Sequence, residues 1–274
     1  MVDAHAEPNP FQDVGSLFPG DVEPVCLELD ASVMDALRLM ASHRYSQLPI
    51  ISDGQVRGIF SMWSLTQHLI DSPEIKLQNL TVEDVMDQPL PSVTVEHSLD
   101  QVLGYLDQHD AVLVQSPHGI QAVATSTDAL NYFRRVAEPF VVLQEIELGL
   151  RSLIDACVSD TQLQECVERA LSKKYESGKI PLPSGLDKMS FEDYSTMITA
   201  RDNWEYFAWV FGKNRALFQS RLQLVRKIRN HVMHFREISV NDHQSLLSTR
   251  NWLLAKDRAR KESHCNQQPE TGPR

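Results

Sequence analysis

Apolar positions along the first half of the chain fall into two periods, and the same succession of periods occurs twice. Ser32 precedes Val33, Leu37 and Met40, and Ser98 precedes Leu99, Leu103 and Leu106, 66 positions later. A serine before an apolar stripe at helical spacing predicts a capped amphipathic helix in each place. Each helix gives way to a short β-like apolar run, 47–51 and 111–114. A turn follows, at 52–54 or 116–119, and then a second strand, 56–60 or 120–124. Another helix opens just after, at Ser61 in one unit and Thr125 in the other. The chain therefore carries a duplicated strand, helix, strand, strand, helix unit.

Beyond residue 137 the pattern changes to long helical periods. One helix is expected from Glu138 to about Val158 and a second over 161–173, with Asp160 and Thr161 offering its cap. A proline-containing loop follows at 178–185. Ser190 with Asp193 has capping-box spacing, and a short element is expected from Asp202 to Phe211. Lys213 to Arg236 is the longest helical candidate, and Asn241 to Ala255 closes the bundle. The fold class expected is α+β: a pair of β-α-β-β-α repeats and then an all-α bundle. The divisions are an N-terminal extension over 1–19, the repeats over 20–135, the helical domain over 138–255, and a polar, charged, disordered tail over 256–274.

Charge separates the halves as sharply as pattern does. Residues 1–135 hold 19 Asp and Glu against 6 Lys and Arg, a net of −13, so the whole-chain −11 leaves +2 for the remainder. A surface that acidic repels polyphosphate, which directs any nucleic-acid contact to the helical half. No apolar stretch is long enough to span a bilayer, and Asp3, His5 and Glu7 stand where a signal peptide would be basic and then apolar. The four cysteines form no CxxC pair. A cytoplasmic, reducing location, with no membrane partner, is the expectation. His231, His234, His264 and Cys265 match no zinc-ligand spacing, so no metal site is expected.

The order of elements over 20–135 resembles a tandem pair of CBS domains, a module that senses adenosine-containing ligands. In that family the second strand ends in Gly, two apolar residues, Thr or Ser, two variable residues and Asp, and the hydroxyl and carboxylate hold a ribose. Thr125 and Asp128 fit that ending, although Ala122 stands where Gly is usual. Gly58 and Ser61 fit in the first repeat, but Ser64 replaces the Asp. The resemblance implies an adenine nucleotide (ATP, ADP or AMP) as a regulatory ligand, at one site more readily than two. Arg44, with His43, is the candidate phosphate partner, and Ser61, Thr125 and Asp128 the candidate ribose partners. For an isolated TxxD the plainer reading is a helix cap.

In the helical half Phe218, Leu222, Val225 and Val232 form an apolar stripe with Arg229 among them, a charge that would need Glu205, Asp202 or an anionic ligand if buried. Arg226, Asn230 and His234 lie beside it. Met233 and Phe235 are expected in the core. The segment from Arg229 to His234 resembles the R-x4-H motif of the HEPN superfamily, and the resemblance extends over 138–255. It implies a metal-independent endoribonuclease, with Arg229, Asn230 and His234 as catalytic residues, RNA as substrate and a homodimer bringing two motifs together, serving stress response or defence. The competing reading is a non-catalytic, nucleotide-binding adaptor that dimerises through its helical domain. A plainer one still leaves His234 at the surface and Arg229 paired with Glu205.

Overall fold

The computed structural model describes residues 14–18, 24–116 and 119–265, with Ser16 and the last three for their backbone alone. The chain divides into two compact units, with the division after Arg134.

Ser32 and Ser98 begin their helices for the reason the pattern gives. Each is extended, and each side-chain oxygen accepts a backbone N–H three residues on, from Asp35 and Gln101. In the first repeat β1 (Leu27–Glu28) is followed by α1 (Val33–His43), β2 (Gln47–Ser52), β3 (Gln55–Ser61) and α2 (Met62–Asp71). After a single helical turn, α3 (Val82–Val85), the order repeats: β4 (Ser92–Thr94), α4 (Leu99–Leu106), β5 (Ala111–Ser116), β6 (Gly119–Thr125) and α5 (Ser126–Asp155). The two three-stranded sheets share one topology, with the first pair of strands parallel and the second antiparallel. They also share a register shift at the same place, after Ile50 and after Val114. The duplication thus extends to the irregularity in the ladder.

Each repeat has its own core. Val33, Met40, Leu48, Ile50 and Phe60 fill the first, and Leu99, Val102, Val112, Val114 and Tyr132 the second. Val14 and Leu17, within the segment expected as an extension, pack into the second core, and the Val14 N–H donates to the His97 carbonyl. Gly58 and Ala122 are equivalent in the two hairpins, and the difference has a steric cause. Residues 86–87 bridge to Ile59, so a β-carbon at Gly58 would stand 2.6 Å from the Asp87 carbonyl oxygen and 2.7 Å from Met86 Sδ. Among the described residues no such bridge crosses the second hairpin, which leaves room for alanine.

The helical unit comprises the rest of α5, α6 (Asp160–Gly178), α7 (Phe191–Thr199), α8 (Trp204–Phe211), α9 (Arg215–Met233) and α10 (Val240–Cys265). Ile146, Leu150, Ile154, Cys166, Tyr194, Phe207, Leu222 and Val225 stand in its core. Ser190 and Asp193 close the expected capping box. Several expectations are corrected. The helix expected from Glu138 begins at Ser126, because the Thr125–Asp128 turn starts it and Pro139 removes only one backbone donor without stopping it. The α6 cap is Ser159, whose side chain reaches the Gln162 N–H. The longest helix is α5, and α9 ends at Met233. Of the tail expected to be disordered over 256–274, the part through Cys265 is helical, held in part by Asp257 pairing with Arg260 and Lys261 one turn on, and 266–274 lie outside the described residues.

Met233 and Phe235 are not core residues. Phe235 is 89% exposed because the chain turns left-handed there, with φ of 54°. Its N–H donates to the Val232 carbonyl and the Arg236 N–H to the His231 carbonyl, the two bonds of a Schellman end. That conformation disfavours a residue with a β-carbon by roughly 1–2 kcal/mol, and here a bulky aromatic residue holds it. No helix among the described residues is long and apolar enough to cross a membrane.

Candidate functional site

The duplicated strand endings face a common cleft of about 560 Å3 lined by Ser46, Gln47, Ser61, Trp63, Asp107, Asp110 and Thr125, among others. Both α2 and α5 begin at its wall. The two helix starts look alike in sequence and differ in what they leave free. In the second repeat Asp128 Oδ2 accepts the Thr125 N–H at 2.9 Å and its hydroxyl at 2.5 Å, while Oδ1 takes no part in the cap. In the first repeat Ser64 is buried, and its hydroxyl donates to the Ser61 carbonyl and accepts from the Ser61 N–H, both at 3.0 Å. Its one donor is used within the turn, and it brings no carboxylate oxygen.

The structure brings Ser61 and Thr125 to the cleft wall, with Asp128 half-buried behind Thr125. Arg44 is exposed at the left-handed end of α1, outside the cleft lining, and His43 stacks on Tyr45 with ring centroids 5.3 Å apart. Among the described residues no Lys or Arg lines the cleft, while Asp107, His109 and Asp110 do. Trp63, 63% exposed on the same wall, was not singled out by the sequence pattern; its place two residues after a strand-ending serine is the signal that could have found it.

In the helical unit Ile228, not Arg229, completes the buried stripe of α9. Arg229 is displaced to the edge of that face, half-buried, and pairs with neither Glu205 nor Asp202. It has no hydrogen-bond or ion-pair partner among the described residues. At the edge of the stripe it needs no carboxylate to offset full desolvation. Its side chain lines a cavity of about 280 Å3 with Leu143, Glu147, Leu148, Arg151 and Met233. Arg226 pairs instead with Glu192 on α7. Asn230 and His234 are both exposed; His234 caps the end of α9, its N–H donating to the Asn230 carbonyl at 3.2 Å.

Arg151, on α5, was not singled out in sequence either. Its Nη2 donates to Glu147 at 2.6 Å and its Nε to the Tyr194 hydroxyl oxygen at 2.7 Å, and that hydroxyl donates on to the Leu186 carbonyl. Burial pulls the Arg151 pKa down, but the Tyr194 and Glu147 contacts outweigh it and hold the guanidinium above its ordinary value. The spacing of Glu147 and Arg151, one helical turn, is readable in sequence. The link to Tyr194 spans 43 positions and is not.

Cys26, Cys157 and Cys166 are free thiols whose pKa burial raises, to about 12 for Cys157, so none is a nucleophile near neutral pH. No three His, Cys, Asp or Glu among the described residues stand together as metal ligands.

Comparison with known proteins bears on the first unit. The CBS domain family model matches residues 20–71. No curated protein matches the chain. Among solved structures, an uncharacterized conserved protein from Pyrococcus horikoshii is 25% identical, with 45% of this chain and 92% of that chain covered at a TM-score of 0.39. A CBS domain-containing protein of unknown function from Bacillus anthracis is 20% identical, with coverage of 46% and 96% and a TM-score of 0.40. The CBS domain pair of protein MJ0100, in complex with 5'-methylthioadenosine and S-adenosyl-L-methionine, is 20% identical, covering 44% and 99% at a TM-score of 0.38. Residues 20–71 of this chain are a CBS domain.

Proposed function

We propose that residues 20–135 act as a CBS pair sensing an adenosine-containing ligand, and that the helical domain over 138–255 is a HEPN-like, metal-independent endoribonuclease under its control. The observation that carries the effector half is the state of Arg229. Arg229 is half-buried, has no partner among the described residues and lines a cavity that holds a second guanidinium, and Asn230 and His234 at the same end of the helix are exposed.

The chemistry needs few parts. A base takes the proton from an RNA 2′-hydroxyl, the 2′-oxygen attacks phosphorus, the bond to the 5′-oxygen breaks, and an acid protonates that leaving oxygen. The products are a 2′,3′-cyclic phosphate and a 5′-hydroxyl. Histidine is the side chain suited to either proton transfer near neutral pH, and a guanidinium suits the developing phosphorane charge. One chain supplies one His234, the cap of α9 five positions after Arg229. A homodimer supplies two, one as base and one as acid. Exposed Met233, Phe235 and Val240 around His234 support such an interface. The same apolar exposure favours the second reading, a non-catalytic adaptor that acts through dimerisation.

For the sensor, Asp128 Oδ1 and the Thr125 hydroxyl are the ribose partners, and Ser61 contributes from the opposite repeat. The first repeat offers no equivalent carboxylate, which favours one ligand per chain. Each phosphate on ATP, ADP or AMP adds negative charge beside Asp107 and Asp110, with no Lys or Arg among the described lining residues to offset it. AMP or a phosphate-free adenosyl ligand therefore suits the cleft better than ATP. Coupling requires the ligand to bind two states of the protein with different affinity.

The test is cleavage of total RNA in EDTA. Wild type is expected to cleave, and His234→Ala to lose about 10²- to 10⁴-fold in rate. Absence of cleavage by wild type, with or without an adenosyl ligand, supports the adaptor.

A further inference from the structure

The cavity between α5 and α9 holds a second guanidinium besides that of Arg229, and the second is the better oriented of the two. Arg151 is fixed at two points. Tyr194, fully buried on α7, accepts from Nε at 2.7 Å, and Glu147 accepts from Nη2 at 2.6 Å. Its guanidinium carbon also lies 5.6 Å from the Tyr194 ring centroid. Tyr194 cannot swing away, since its own hydroxyl proton is committed to the Leu186 carbonyl. Of the five guanidinium N–H groups, two are committed, and those on Nη1 are among the three that remain.

Charge in the cavity is unbalanced. Two arginines face one glutamate, and that glutamate is already engaged by Arg151. Leu143, Leu148 and Met233 supply apolar wall beside the two guanidiniums. About 280 Å3 lies just below the range of roughly 300–1,000 Å3 usual for whole small-molecule ligands. The space suits one nucleotide unit of a longer chain: a phosphodiester against the cations and its sugar or base against the apolar side.

We propose that Arg151 and Arg229 together form a phosphodiester seat for single-stranded RNA, with Tyr194 and Glu147 as the positioning residues that aim Arg151. This rests on the reading of Arg229 as a phosphate-holding residue and adds a residue from another helix to it. A planar fork held at two points presents its remaining donors without losing rotamer freedom on binding, which is the advantage of arginine over lysine at such a place.

The experiment uses the full-length chain and a short fluorescent single-stranded RNA with 2′-O-methyl groups, which binds but cannot be cleaved. Affinity is followed by anisotropy over a range of salt concentrations. Arg151→Met is expected to weaken binding about tenfold, the equivalent of one charge-assisted contact. It should also reduce the slope of log affinity against log salt by about 0.7, one phosphate contact on a single strand. A purely structural Arg151 would leave that slope unchanged. Glu147→Gln, which frees Arg151 of its counter-charge, is expected to tighten binding, an outcome that misfolding cannot imitate. Arg229→Met weakening binding while Arg151→Met and Glu147→Gln leave affinity and slope unchanged overturns the two-arginine seat and leaves the reading of Arg229 standing. No binding by wild type, or no effect of Arg229→Met, overturns both.

Discussion

Asp128 and Asp193 close the same kind of turn in different surroundings. Each stands three residues after a Thr or Ser, and each carboxylate accepts from that residue's backbone N–H and hydroxyl. At Asp193 the second oxygen is also taken, by Lys174 at 2.8 Å, and Tyr175 adds a bond at 2.9 Å to the first. The side chain is 1% exposed. Asp128 is half-buried beside a cleft with one oxygen uncommitted. The motif is shared, and the two caps differ in whether tertiary packing uses the second oxygen. Ser64 extends the series: it makes its cap with a hydroxyl and offers no carboxylate oxygen.

The largest effect is expected where the carboxylate is most committed. Asp193→Ala removes the shared acceptor of half-buried Tyr175, exposed Ser190 and Lys174 and leaves a void where a buried side chain stood, and should destabilise that unit by about 2 kcal/mol, measured by denaturant unfolding. The pH dependence has a definite sign. Burial alone would raise the Asp193 pKa, but Lys174, Ser190 and Tyr175 together hold it below the usual carboxylate value. A depressed folded pKa stabilises above the unfolded value of about 3.9 and is lost as pH falls through the folded one. The stability gap between wild type and Asp193→Asn should therefore be constant above about pH 5 and close below about pH 4. A gap that widens in acid would contradict the assignment of the partners.

Asp128→Ala is expected to act on binding more than on folding. Adenosyl-ligand affinity, read by calorimetry, should fall more than tenfold, as for loss of a hydrogen bond to a charged group. Thermal stability should change by about 1 kcal/mol at most, the scale of a helix cap. The reverse distribution, a large loss of stability with affinity intact, would make Asp128 a second Asp193. The smallest effect expected is for Ser64→Asp, which restores a carboxylate to the first repeat. A second, weaker binding event per chain in the same calorimetric titration would show that this one position sets the number of sites.

What was legible in the sequence was local. Ser32, Ser98 and Ser190 were readable as caps because a cap is decided within three residues, and the repeat was readable because both copies keep the same order of apolar runs. The start of α5 was misplaced, since the helix opened by Thr125 runs on through Pro139 into the segment expected as a separate helix. Phe235 misled because hydrophobicity marked it for the core, whereas the Schellman end of α9 turns it outward. The helical stripe placed Arg229 in the buried face. Ile228, one position earlier, is the residue that packs there, an error of 100° around the axis. The contacts of Arg151 with Tyr194 and of Asp193 with Lys174 join separate helices, and no periodicity announces them.

The central claim is that a ligand held by the first unit governs chemistry in the second. Its most direct test is the rate of RNA cleavage in EDTA by wild type and by Asp128→Ala, each with and without AMP or S-adenosylmethionine. The account predicts that a ligand changes the wild-type rate and leaves the Asp128→Ala rate unchanged. Equal rates with and without either ligand in wild type, under conditions where calorimetry shows the ligand bound, would contradict it.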